Sequence, residues 1–324
     1  MLSLQSVLKA RQSVGEVAIR TSLMPSTSLS TETRAVRLKL ETLQPTGSFK
    51  IRGATNAIAN LTAEGAKRGV VCASTGNHGR ALTYAAKARG VRTTVCMSEL
   101  VPENKVAAIR DLGAEVRIVG QSQDDAQLEV NRLVAEEGMI EIPPFDHQDV
   151  ITGQGTIGLE IVEDWPEVDT VLVPLSGGGL IAGIALAIKS VCFDIKVIGV
   201  SMQRGAAMKE SLQRGYPVEV TEEPSLADSL GGGIGLKNQF TFDIAQELID
   251  DVILLDEGQI ADGMRHLYRK EGIVAEGAAA VGVSVLLGEL SEQLGENVAV
   301  VVSGRNVDMP LFEEVMKGAL PFGK

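Results

Sequence analysis

A lysine stands at the end of a tight, hydroxyl-rich turn, Gln44-Pro45-Thr46-Gly47-Ser48-Phe49-Lys50. An amine there can condense with a bound carbonyl when burial or a neighbouring cation keeps part of it neutral. A surface lysine on a turn has the same local sequence, so the reading depends on what stands elsewhere. Ser176-Gly177-Gly178-Gly179-Leu180 supplies a second chemical group. Three successive glycines let backbone N–H groups converge with no Cβ in the way, and a helix opening there adds partial positive charge, which together suit a phosphate. A nucleotide P-loop would need Gly-Lys-Ser/Thr at the loop's end, and Leu180-Ile181 follow the glycines instead. A dinucleotide site would need an acidic residue closing the next strand, which ends at Val200-Ser201. A monophosphate is the better fit. Ser74-Thr75-Gly76-Asn77-His78-Gly79 gathers hydroxyls, an amide and N–H groups at another strand-to-helix turn, which suits a carboxylate, although an ordinary capped helix carries the same residues. Ser303, in Ser303-Gly304-Arg305-Asn306-Val307, places a neutral hydroxyl just after a strand, a partner that a heterocyclic nitrogen can use.

The elements that must position these groups alternate between strand and helix. The pattern predicts strands at 69–73, 92–97 and 115–119, and helices at 79–89, 103–112 and 123–137, with Gly113 as a C-terminal cap. This βαβ rhythm implies parallel sheets flanked by helices. Pro143-Pro144 ends regular structure and marks a crossing between lobes. A second series follows, with strands at 170–174, 196–200 and 298–302 and an apolar helix at 180–189. The expected division is a small lobe at 69–146, serving the substrate carboxylate, inserted into a large cofactor-binding lobe of 1–68 and 147–324. Each motif then lies at a strand C-terminal end, where open α/β sheets bind ligands.

A length of 324 residues is enough for two cores, and a charged fraction of 22% is that of a soluble globular chain. The net charge of −12, with no long basic block, argues against nucleic acid or an anionic membrane as partner. No apolar run is long enough to span a bilayer. Residues 1–20 contain Glu16 and apolar residues at helical spacing, and so read as a first helix rather than a transit peptide. Cys72, Cys96 and Cys192 sit in apolar runs without metal-ligand spacing, which predicts buried, reduced thiols and a cytoplasmic protein. His147 reads as a hinge residue, His266 as a helix residue without a partner pattern, and Trp165 as structural.

Lysine, phosphate cradle, carboxylate turn and strand-end serine are the contacts that pyridoxal phosphate and an amino acid require. With them the chain resembles the fold-type-II pyridoxal-phosphate enzymes, in the threonine/serine dehydratase and serine racemase branch. The matching segments are 46–52, 74–78, Gly153-Gln154-Gly155-Thr156, 176–183 and 303–308, in the family's order over nearly the whole chain. Residues 74–80 are also similar to the dehydratases of hydroxyectoine utilisation. The resemblance implies a two-lobed α/β fold of the tryptophan synthase β type, pyridoxal 5'-phosphate as cofactor, an amino acid as substrate and a homodimer.

Residue by residue, it implies that Lys50 carries the cofactor as a Schiff base and, once freed, takes the substrate Cα proton. Phe49 would pack beside the cofactor ring and Asn77 would bond its phenolic oxygen. Gly177, Gly178, Gly179 and the Leu180 amide would hold the phosphate. Ser303 would face the pyridine nitrogen, and Glu276 matches an acidic position close to the cofactor. Ser74, Thr75, Asn77 and His78 would line the substrate carboxylate. The expected reaction is β-elimination of a hydroxy-amino acid (threonine, serine, 3-hydroxyaspartate or a hydroxyectoine-derived compound) to a 2-oxo acid and ammonia. An amino-acid racemase is the alternative: Thr75, a second candidate catalytic residue, stands where that branch has a serine base, but its extra methyl crowds the substrate, and this and the missing cation ligands disfavour racemisation. A β-replacement synthase is the more distant one. The family's cation site follows a strand ending in Glu, whereas here Ser201, Gly205 and Ala207 occupy its positions, so no metal is expected there. With the sequence ending at Lys324, the C-terminal regulatory domain of biosynthetic threonine dehydratases is not expected. Arg52, Arg80 and Arg305 are candidates for binding a second substrate carboxylate.

Overall fold

The computed structural model of the protein describes residues 2–323. Ten strands are formed in chain order: β1 (Leu23–Pro25), β2 (Ala35–Leu40), β3 (Val70–Ala73), β4 (Thr93–Met97), β5 (Glu115–Ile118), β6 (Ile140–Glu141), β7 (Thr170–Pro174), β8 (Lys196–Met202), β9 (Asp251–Leu255) and β10 (Asn297–Val302). They build a six-stranded sheet of order β1-β2-β10-β7-β8-β9 and a four-stranded sheet of order β5-β4-β3-β6. Apart from the antiparallel pair β1–β2, every pairing is parallel.

Side-chain alternation explains why the strands of the larger sheet read as continuous apolar runs. Val298, Val300 and Val302 join Leu38, Leu172 and Ile198 in one core. Ala299 and Val301 face the opposite way and join Val171, Val173 and Val197 in another. Both faces are covered by helices, so neither can be polar. The smaller sheet repeats this logic. Val70, Cys72, Val95 and Met97 share a core with Ile51, Ala54, Ile58 and Leu82. Val71, Ala73 and Cys96 face Ala126, Val130 and Leu133 on the other side. The helix that begins at Lys50 therefore packs on the smaller sheet's core.

The expected helices 103–112 and 123–137 stand as Glu103–Leu112 and Gln123–Glu137. Gly113 caps the first in the left-handed region, at φ 104°, as its position predicts. Ser122 and Asp125 form a capping box at the start of the second. Residues near the N-terminus form the helix Leu4–Val14. Trp165 is 4% exposed and lies beneath the Arg37 guanidinium, 4.3 Å from the ring centroid. Two expectations are corrected. Cys192 is exposed, because it follows the last turn of the helix Gly179–Val191 instead of lying within its apolar face. His266 does have partners: its Nε2 lies 2.6 Å from the Ser28 hydroxyl and 3.9 Å from Glu271.

Candidate active site

The turn before Lys50 is held by the chain leaving β10. Ser48 bridges Gly304. The Phe49 N–H donates to the Ser303 carbonyl at 3.0 Å, and the Arg305 N–H donates to the Gly47 carbonyl at 2.8 Å. Two segments far apart in sequence thus form one wall, with Lys50 opening the helix Lys50–Ala59. The Lys50 amine donates to the Pro144 carbonyl at 2.7 Å and lies 5.3 Å from the Phe49 ring centroid. Desolvation brings it down to about 8, against the upward pull of Glu276 and Cys72. About a tenth of such an amine is neutral at neutral pH, far more than of a free lysine.

Across the site, β7 ends at Pro174 and Gly178, at φ 89°, turns the chain into the helix Gly179–Val191. No side chain caps that helix, so its first N–H groups remain for an acceptor from outside. A Cβ on Gly177 would run into the Phe145 ring, and one on Gly178 would lie 2.7 Å from Met208. The same helix sits close to Gln148–Asp164: a Cβ on Gly183 would lie 2.6 Å from the Gly155 nitrogen. The Gly153–Thr156 motif is thus explained by helix contact, which sets the cradle's position.

The Ser74 hydroxyl accepts from the Gly76 and Gly79 N–H groups at 3.1 and 2.9 Å, so it shapes the turn from within. Thr75 is exposed at the tip. Burial pushes the His78 imidazole down to about 3, with Lys50 and His147 adding to that and the Ile142 carbonyl opposing it. The ring is therefore neutral; its Nε2 lies 2.7 Å from that carbonyl, and its buried Nδ1 has no partner. His147 caps the helix Gln148–Asp164 by accepting from the Asp149 N–H at 3.2 Å.

A relay of amides runs behind the turn. Arg80 donates to Asn306 Oδ1 at 2.8 Å, and Asn306 Nδ2 donates to Asn77 Oδ1 at 2.6 Å. Asn77 Nδ2 donates to both oxygens of Glu276, at 2.9 and 3.1 Å. Glu276 is 4% exposed; burial and Asp228 push it up to about 7, while Lys105, Asn77 and Ser229 oppose the rise. Ser303 is 3% exposed, and its hydroxyl has no hydrogen-bond partner among the described residues. Thr46 Oγ1 and Ser48 Oγ are likewise buried without partners.

Arg52 is corrected as a candidate for a substrate carboxylate. It is 1% exposed and clamped between Glu41 (2.8 Å) and Glu160 (2.6 Å), with Lys39 also on Glu160 at 2.6 Å. Arg305 donates to the Thr42 carbonyl. Arg80 remains at the cleft. Sequence reasoning assigned no role to the Pro144 carbonyl, Phe145, Lys105 or Asn306. Pro143-Pro144-Phe145 carried a signal only as a break in regular structure, and Asn306 only as part of the strand-end motif.

A desolvated amine on the Pro144 carbonyl, a glycine-lined helix start packed on the adjacent Phe145, and an unpartnered serine hydroxyl at a strand end define an α/β enzyme built for a phosphorylated carbonyl cofactor. The donors fit pyridoxal phosphate: uncapped N–H groups for its phosphate, Lys50 for its aldehyde and Ser303 for its ring nitrogen. The sequence matches the family of pyridoxal-phosphate-dependent enzymes over residues 15–304, and the chain belongs to that family. It is 58% identical over 320 residues to a Sinorhizobium fredii protein with the provisional name threonine dehydratase, covering 98% of this chain and 96% of that one. It is 41% identical over 328 residues to the L-threonine ammonia-lyase of Thermotoga maritima, covering 100% of this chain and 80% of that one. Its fold is similar to that of maize serine racemase, with a TM-score of 0.92 and 31% identity over 98% of this chain and 97% of that one. No helix among the described residues is long and apolar enough to cross a membrane.

Proposed function

We propose that the protein is a lyase that removes the Cα proton and the β-hydroxyl of a hydroxy-amino acid, giving a 2-oxo acid and ammonia. The observation that carries this reading is the Lys50 amine on the Pro144 carbonyl, one residue from the Phe145 that packs on Gly177 and Gly179 of the cradle. When bound, pyridoxal phosphate supplies a carbonyl for the amine and an electron-withdrawing ring that makes the Cα proton removable. Lys50 would hold the cofactor by its aldehyde and, once free, would accept that proton. Its proximity to neutrality is what lets it serve in both roles. Gly177, Gly178, Gly179 and the Leu180 amide take the phosphate, and Phe49 borders the ring. Asn77, whose amide is held by Glu276 and Asn306, would bond the ring oxygen by exchanging one of these contacts. Ser303, a weak acid, would face the ring nitrogen without donating a full proton to it, which would favour loss of the β-hydroxyl over proton exchange at Cα. Ser74 shapes the turn whose N–H groups, with the Thr75 hydroxyl and Asn77, receive the substrate carboxylate. His78 contributes through its backbone, since its ring is engaged with Ile142.

Threonine and serine are the simplest substrates of this chemistry, in keeping with the names of the relatives. The division into a small lobe at 69–146 and a large lobe at 1–68 and 147–324 is part of the proposal. So is a cytoplasmic homodimer: unpaired thiols suit a reducing compartment, and dimerisation follows the family pattern. Lys50→Ala is the direct test. It should abolish both the absorbance of the attached cofactor and turnover, and retention of either would sink the assignment of Lys50.

A further inference from the structure

The turn at 74–77 shares a cleft with two cations. Thr75, Gly76, Asn77, Arg80, Lys105, Ser229 and Asn306 line one narrow cleft, with no apolar side chain among them. Arg80 stands one helical turn beyond Asn77 on the helix Asn77–Ala88, on the same face. It is half-buried, and its guanidinium makes one hydrogen bond among the described residues, to the neutral Asn306 amide. Burial lowers its basicity, opposed by Glu276 and aided by Arg305. Glu276 itself is engaged by Asn77 and Ser229. A desolvated guanidinium with most of its donors unused is costly unless an anion completes it. Lys105 lies across the same cleft with its side chain 18% exposed, and its partner Asp228 is 56% exposed at 2.9 Å. So exposed a carboxylate holds an amine weakly.

We propose that Arg80 and Lys105 form the pocket for a second carboxylate on the substrate, next to the turn that takes the first. The preferred substrate is then a 3-hydroxy-amino acid with an acidic side chain, of the 3-hydroxyaspartate class; this rests on the lyase reading above. Serine and threonine offer the guanidinium no charge, and a polar site rejects an analogue that leaves its donors unpaired.

The test compares kcat/KM of the holoenzyme for the stereoisomers of 3-hydroxyaspartate and for serine. The expected preference for the best 3-hydroxyaspartate isomer is about tenfold or more, and Arg80→Gln should collapse that ratio by about tenfold. A wild-type preference for serine or threonine overturns the pocket while leaving the lyase standing. Equal losses on both substrates would mean that Arg80 acts only by holding Asn306, and also overturn it. Should no hydroxy-amino acid react, the lyase reading fails and binding decides the pocket alone. Aspartate, which has no leaving group, should bind the holoenzyme about tenfold more tightly than alanine, with the gap lost in Arg80→Gln. Equal binding of the two in wild type would refute the pocket.

Discussion

Glu276→Gln separates the charge of the buried carboxylate from its shape. The glutamate is 4% exposed, and its oxygens accept from Asn77 and, at 3.4 Å, from Ser229. Burial and Asp228 push it from 4.5 to about 7, against Lys105, Asn77 and Ser229. A carboxyl whose folded value is raised favours folding fully below its unfolded value, and that contribution is lost as pH rises through the folded value. Here the window runs from 4.5 to about 7. A gap of that size corresponds to roughly 3 kcal/mol of destabilisation in the ionised protein, most of which develops between about pH 5 and about pH 8. Glutamine fills the same space and does not titrate. Urea unfolding of cofactor-free protein at the two pH values, followed by the fluorescence of the sole tryptophan, Trp165, measures the difference. The variant should gain on the wild type by roughly 2–3 kcal/mol on going from the acidic to the basic condition. A difference between the two proteins that does not change with pH would refute the reasoning, because it would mean that Glu276 ionises as an ordinary carboxylate.

Three further outcomes are expected. The rate of cofactor attachment should rise with pH and level off near 8, since Lys50 is brought down to about 8; a rise continuing past pH 10 would show an unperturbed amine. Gly178→Ala forces a Cβ onto φ 89° and towards Met208, at a cost of about 1–2 kcal/mol, so cofactor affinity measured by fluorescence titration should fall roughly tenfold. Arg52→Met leaves Glu41 and Glu160 buried without their shared cation, and should destabilise the protein by about 3–5 kcal/mol in urea unfolding.

Much of the fold was legible because local rules and tertiary packing agree. The helix Gln123–Glu137 combines period, capping box and a terminal glycine, Gly138 at φ 67°. β2 was harder to read, because Arg37 and Lys39 interrupt its apolar run. Lys39 is 0% exposed there only because Glu160, from a distant helix, neutralises it. β1 is three residues long and has no pattern of its own. At the site, the lysine turn and glycine cradle were visible because their chemistry is local: an amine after a turn, and N–H groups freed of Cβ atoms. Arg52 is the converse case. Its place beside Lys50 suggested a ligand contact, but its partners Glu41 and Glu160 come from other elements and no local pattern announces them. The relay Arg80–Asn306–Asn77–Glu276 likewise joins three segments and exists only once the two sheets are assembled.

The measurement closest to the central claim is simultaneous assay of 2-oxo acid and ammonia from the holoenzyme with stereochemically defined serine, threonine and 3-hydroxyaspartate. The account predicts equal amounts of the two products from at least one of them, with no accumulation of the mirror-image amino acid. Appearance of the opposite enantiomer without ammonia would contradict it and identify a racemase.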